Sequence, residues 1–215
     1  MPTGVESGQG VTDRRRARSE RTEAAIVRAA DELFVSQGYA RTSMLEVAAR
    51  AGVSDRTVYV RFATKADLLK RVIDVAAAGD TGEAPVSDRS WMQESMTAPT
   101  LEARLEAFVA GVTAMQARLV PLVAVAVEVE ASEPVIAAQA RNARAGTLQA
   151  LQVFWAGLVR DGLVDPGLDV AWVAETTMLL SASETALLRT RTIGADAYAE
   201  WLARVLHQFA TPAPA

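Results

Sequence analysis

Residues 55–61, DRTVYVR, gather two guanidiniums, a carboxylate, a hydroxyl, a phenol and two valines within two helical turns. These groups suit nucleic acid better than catalysis. Arg56 and Arg61 can each grip a guanine edge in bidentate fashion or pair with a phosphate. Val60 can touch a thymine methyl, and Thr57 can meet a base or a phosphate. Tyr59 suits a phosphate, and Asp55 either accepts from a cytosine amino group or favours a helix N-terminus. Val58 and Phe62 are the apolar residues that bury the opposite face.

The flanking residues specify how such a helix would be held. Ser54 is a good N-cap for a helix over 55–62. Ser43 and Glu46 have the spacing of a capping box, which predicts a helix start at Ser43. Val47, Ala48 and Ala51 then give that helix an apolar side. Gly52 comes where the chain must leave one helix and turn without a Cβ penalty. Thr64 and Asp67 repeat the box and open a helix over 65–78. Two short helices around a glycine turn describe a helix-turn-helix, whose second helix enters the DNA major groove. In that geometry Thr42, the N-terminus at Ser43, Ser54 and Lys65 join the phosphate-facing set.

The pattern resembles the DNA-binding segment of the tetracycline-repressor (TetR) family of transcriptional regulators. It is carried by Thr42-Ser43, Val47-Ala48, Ala51-Gly52-Val53-Ser54, Thr57-Val58-Tyr59, Phe62, Lys65 and Leu68-Leu69. Ile26, Ala29-Ala30, Leu33-Phe34 and Gly38-Tyr39 extend it into the preceding helix. It covers about residues 19–75. Two departures stand at base-reading positions: Arg56 replaces a frequent Gly, and Val60-Arg61 replaces a common His or Tyr. The resemblance implies an all-α protein with a three-helix DNA-binding head, and a helical body that dimerises and holds a small effector. The dimer it implies is a four-helix bundle built on the last long helices.

Charge supports this division. The chain of 215 residues has a net charge of −4. Residues 14–78 nevertheless carry 13 Lys/Arg against 8 Asp/Glu, a net +5, leaving 9 Lys/Arg and 18 Asp/Glu, or −9, elsewhere. A basic head on an acidic body is the expected layout. Residues 1–18, with Arg14, Arg15, Arg16 and Arg18, read as a disordered basic arm that lies along phosphates or is merely solvated. Residues 19–78 are the head and its linking helix, 79–90 a linker, and 91–215 the body. The absence of cysteine leaves no disulfide framework and favours an intracellular, cytoplasmic setting. MPTGVESGQG is no secretory signal. The apolar run Leu119–Val127 holds Pro121 and is too short to span a bilayer, which predicts a soluble protein.

The body reads as helices near 90–97, 101–118, 119–131, 133–161, 168–191 and 195–209. Both 148–159 and 168–191 are apolar around more than one stripe, so each can face its own core and a partner subunit. Small positions such as Ala182 and Ser183 would sit at that interface. Trp91, Met96, Phe108, Met115, Trp155, Trp172 and Met178 are either core or the wall of an effector cavity. Glu128, Gln152 and Thr176 would orient the ligand. A buried Glu128 carboxylate would favour a cationic lipophile, an exposed one a neutral apolar molecule. His207 is the single histidine, and with no cysteine present a metal site, a cofactor loop or a catalytic constellation is not expected. The reading is a homodimeric, ligand-responsive repressor on a palindromic operator, not an enzyme. The alternative is a helical ligand-binding or interaction protein that acts through protein partners without reading DNA.

Overall fold

The computed structural model describes residues 6–80, 82 and 89–210, with side chains from residue 14 onward. Ten α-helices and no strand are found among the described residues. The chain divides into two compact units, Met1–Val75 and Ala76–Ala215, so the division falls a few residues before the expected boundary. The linker expected over 79–90 lies largely outside the described residues.

The first unit holds α1 (Glu6–Gln37), α2 (Met44–Ala51), α3 (Asp55–Arg61) and most of α4 (Lys65–Ala78). Ile26, Ala30, Phe34, Val47, Val58, Leu68 and Leu69 form its core. The expectation of a disordered arm is corrected over residues 6–18, which continue α1. No proline interrupts that stretch, and the pair Arg16–Glu20 spans one turn at 2.9 Å. Residues 1–5 lie outside the described residues.

The second unit holds α5 (Ser90–Thr97), α6 (Leu101–Glu130), α7 (Pro134–Arg160), α8 (Val170–Ser181), α9 (Ser183–Ile193) and α10 (Ala195–Ala210). Its core joins Leu105, Phe108, Val109 and Val112 of α6 to Leu151, Phe154, Trp155 and Leu158 of α7, and to Tyr198, Leu202 and Leu206 of α10. Phe108 stacks on Phe154 at 5.1 Å between ring centres. Trp91 of α5 lies so close over Gly111 that a Cβ there would stand 2.1 Å from its ring, which is why this helical position lacks a side chain.

Two expected boundaries are corrected. The helices predicted at 101–118 and 119–131 are one, running through Pro121. Proline removes a single N–H, while Leu122, Val125 and Val129 continue the buried side of α6 beyond it. By length and composition alone α6 is apolar enough to cross a membrane, yet 39% of its apolar window is buried in the body.

Conversely, the single helix expected over 168–191 breaks at Ala182, whose backbone is extended (φ −61, ψ 149). No glycine or proline marks the break; side chains from elsewhere hold it. Gln116, buried in α6, donates Nε2 to the Ser181 carbonyl (2.6 Å) and accepts the Ser183 hydroxyl on Oε1 (2.7 Å). The Tyr198 hydroxyl donates to the Leu180 carbonyl (3.1 Å) and the Thr185 hydroxyl to the Leu179 carbonyl (2.7 Å). The last three carbonyls of α8 therefore keep partners although the helix stops.

Replacing Gln116 by Leu should leave the Ser181 carbonyl and Ser183 hydroxyl unpaired and cost roughly 1–3 kcal/mol. Thermal unfolding of the two proteins at neutral pH measures it. Burial also pushes the Tyr198 phenol up from 10.0 to about 12. Its contribution is thus complete below pH 10 and lost as pH rises through 12. A melting-temperature series from pH 8 to 12 should fall more steeply for the wild type than for Tyr198→Phe.

Candidate nucleic-acid interface

The turn between α2 and α3 is built by short-range hydrogen bonds. The Ser43 hydroxyl accepts the Glu46 N–H (3.2 Å), while the Ser43 N–H donates to Glu46 Oε2 (2.8 Å). Donation first from the Ser43 backbone and then from its hydroxyl holds the Glu46 carboxyl below its ordinary pKa of 4.5. Gly52 closes α2 in the left-handed region at φ +69, and the Val53 N–H reaches back to the Ala48 carbonyl (3.0 Å). Ser54 then starts α3, its Oγ accepting the Thr57 N–H at 3.2 Å.

This frame turns one side of α3 inward and the other outward. Val58 is fully buried and Phe62 nearly so, whereas Tyr59 is 55% and Val60 77% exposed. Asp55 and Arg56 are exposed with them. Asp55 takes the Arg56 N–H on Oδ1 (2.8 Å), so it serves the first turn of the helix. The Arg56 guanidinium makes no bond to another side chain among the described residues. Thr57 is half-buried and shares a 2.7 Å hydroxyl contact with Ser54. Leu45 on α2 is also exposed, at 66%. Its apolar type gave no sequence signal for exposure.

Three of the expected contact residues are engaged elsewhere. Thr42 is 1% exposed, and its hydroxyl donates to the Gly38 carbonyl (2.8 Å), locking the corner between α1 and α2. Lys65 sends its ammonium to the carbonyls of Tyr39 (2.7 Å) and Thr42 (2.9 Å) and sits 4.2 Å from the centre of the Tyr39 ring. Arg61 turns back to α1, where Nη2 donates to the Ser19 hydroxyl (2.6 Å) and Nη1 pairs with Glu23 (3.3 Å). In this conformation these bonds occupy the Lys65 ammonium and the Arg61 guanidinium, the expected phosphate ligand and candidate base reader. Their partners lie 23 to 42 residues away in sequence, beyond any local motif. Glu23, which also pairs with Arg71 at 2.8 Å, gave no sequence signal either.

The residues nominated for an effector cavity are divided between the core and the surface in this conformation. Phe108 and Trp155 are core, with Trp155 Nε1 donating to the buried Thr177 hydroxyl at 3.0 Å. Trp91 covers Gly111, Met96 and Met178 pack partly buried against the core, and Met115 is half-buried in α6. Trp172 is 54% exposed and meets Phe209 edge-on at 5.4 Å. Thr176 returns its hydroxyl to the Trp172 carbonyl (2.8 Å), while Glu128 and Gln152 face water. Two adjoining open clefts lie instead between α6 and α9. One, of about 280 Å³, is lined by Val120, Pro121, Ala124, Leu187, Thr190 and Arg191. The other, of about 340 Å³, adds Val123, Val127, Glu184 and Leu188. Bulk alone does not distinguish a cavity wall from a filled core, so aromatic and sulfur side chains fit both in sequence.

Comparison with known proteins bears on this head. Residues 26–72 match the family model for bacterial regulatory proteins of the tetR family. The HTH-type transcriptional repressor Rv3405c of Mycobacterium tuberculosis is 43% identical over 65 residues, 29% of this chain and 35% of that protein. The DNA-binding transcriptional repressor TetR of Mycobacteroides abscessus is 39% identical over 67 residues, 31% of this chain and 35% of that one. The match thus spans about a third of the length of these curated relatives. The fold extends further. A TetR-family regulator structure from Mesorhizobium loti aligns with a TM-score of 0.71 at 22% identity, over 89% of this chain and 96% of its own. The SmeT–triclosan complex aligns at 0.68 and 16% identity, over 87% and 90%.

Lys65→Met should cost the head roughly 1–3 kcal/mol, because two buried carbonyls lose a charged donor. Thermal unfolding checks the loss. If Lys65 served only phosphates, stability would stay unchanged.

Proposed function

We propose that this chain, a member of the TetR family of transcriptional regulators, represses transcription by binding a near-palindromic operator as a homodimer and leaves it when a small, largely apolar molecule binds the body. The observation that carries the DNA reading is the exposed side of α3. Arg56, Tyr59 and Val60 stand outward on a helix whose start is fixed by Ser43, Gly52 and Ser54. Arg56 and Val60 are the base-reading pair. Tyr59, Ser43 and Ser54 lie toward phosphates, and Asp55 and Thr57 hold the helix start. Half-sites would lie about one helical turn apart, roughly 34–36 Å, or somewhat more.

The dimer would use α7 and α8. Val153 of α7 is 52% and Leu179 of α8 64% exposed, and Ala156 of α7 and Ala171 of α8 are open as well. Apolar and small residues that a single chain leaves in water suit a second copy. Ala182 and Ser183 are poorer probes than expected from sequence, since the break at the end of α8 occupies them.

The effector would be neutral, because Glu128 faces water and the charges that line the α6–α9 clefts, Arg191 and Glu184, oppose each other. SmeT forms a complex with triclosan, which supports a small-molecule effector here. The α6–α9 clefts, walled by Val120, Ala124 and Leu187, and repacking around Met96 and Met178 offer the room. A cytoplasmic location follows from an operator-binding role.

Selection of bound DNA from a random pool tests the reading, which expects an inverted repeat. A pool left without sequence enrichment would overturn it in favour of action through protein partners. On the selected site Arg56→Ala should cost roughly 1–3 kcal/mol, concentrated at one base pair. Equal loss on random DNA would mark a phosphate contact. Leu179→Glu should yield a folded monomer by sedimentation, since burying the new charge at the interface is unfavourable. An apolar effector should raise the melting temperature by mass action and release DNA in the same titration.

A further inference from the structure

Glu23 makes a bridge that the DNA-binding reading does not use. One of its carboxylate oxygens takes Arg61 Nη1 of α3 (3.3 Å), and the other takes Arg71 Nε of α4 (2.8 Å). All three side chains are 22–29% exposed, a setting in which an ion pair is screened less than in open water. Ser19, one turn earlier on α1, accepts the other end of the Arg61 guanidinium at 2.6 Å. Arg61 ends the helix that presents Arg56 and Val60, and the turn of α1 before Ser19 carries exposed Arg15, Arg16 and Arg18. A strong cation is therefore held beside a basic surface, sharing one carboxylate with Arg71 and with a partner on each of its terminal nitrogens.

We infer that Glu23 is a positioning residue that limits sequence-independent DNA binding: it holds Arg61 on α1 and keeps it off the phosphates. An arginine free at the end of a recognition helix pairs with any phosphate within reach, and such contacts dominate non-specific affinity. Holding it leaves discrimination to the groups on the open side of α3. The inference rests on the DNA-binding reading above.

The test measures the salt dependence of binding for the full-length protein on the selected operator and on random duplex DNA. Glu23→Gln removes the charge but keeps the shape. Binding to random DNA should tighten several-fold at low salt, and the log–log salt slope should steepen by about 0.9, the increment for one added phosphate contact. Adding Arg61→Gln to Glu23→Gln should return the slope to the wild-type value, which a merely structural role for Glu23 would not produce. Arg61→Gln alone should leave the wild-type slope unchanged. This variant also decides the matter if Glu23→Gln does not fold, because a slope shallower by about 0.9 would show Arg61 already on a phosphate and overturn the inference. An unchanged slope in folded Glu23→Gln overturns it too. In either case wild-type binding to the operator keeps the DNA reading. A wild type that binds no DNA at any salt removes both.

Discussion

A helix that ends inside a packed domain leaves carbonyl groups facing no amide, and in an all-α chain this constraint recurs at every turn. Here long side chains from other helices meet it. The Lys65 ammonium takes the carbonyls of Tyr39 and Thr42. Arg104, almost fully buried, donates Nε to the Ala98 carbonyl at 2.7 Å and Nη2 to Asp161 at 2.7 Å. Arg118 donates Nε to the Ala76 carbonyl at 2.8 Å and so secures the end of α4. Gln116, Thr185 and Tyr198 do the same for α8. The donors of the body secure helix ends, whereas Lys65 closes the connection between α1 and α2, ahead of the helix that leads into α3.

The arrangement also explains why the charged residues divide as they do. A side chain that satisfies a buried carbonyl is not available to a ligand. Lys65 and Arg61 have the types a DNA contact requires, but the first is committed to backbone and the second to Ser19 and Glu23. Arg56 and Val60 keep their outward positions because their helix is short and its inward side is filled by Val58 and Phe62. In the body the same logic turns Trp155 inward, where Thr177 answers its indole N–H. Asp161 is likewise a fixed carboxylate, held below its ordinary pKa first by Arg160 and then by Arg104.

The parts of the head legible in the sequence are those that depend on neighbours a few residues away. The Ser43–Glu46 box, the left-handed Gly52 and the Ser54 cap are local and were readable as such. So were the helical class and the split into a basic and an acidic part. What stayed hidden depends on distant partners. Nothing near Ala182 announces a break, since the groups that stabilise it come from α6, α9 and α10. Pro121 announces a break that does not occur, since the buried stripe of α6 continues past it. The exposure of candidate site residues followed the same rule: Tyr59 and Val60 lie on a helix whose start is set by local caps, whereas Lys65, Arg61 and Glu23 are tied across 23 residues or more.

The role of Lys65 has a further consequence. The chain contains only two lysines, Lys65 and Lys70. The first is bound to backbone carbonyls, and the second pairs with Asp74 at 2.7 Å. The cations of α3 and of the basic turns of α1 are arginines throughout. Acetylation, which silences positive charge on lysine, therefore finds no acceptor on the proposed DNA-facing surface. Arginine as a class keeps its charge across the physiological range, so lysine-directed modification leaves the cations of that surface unchanged.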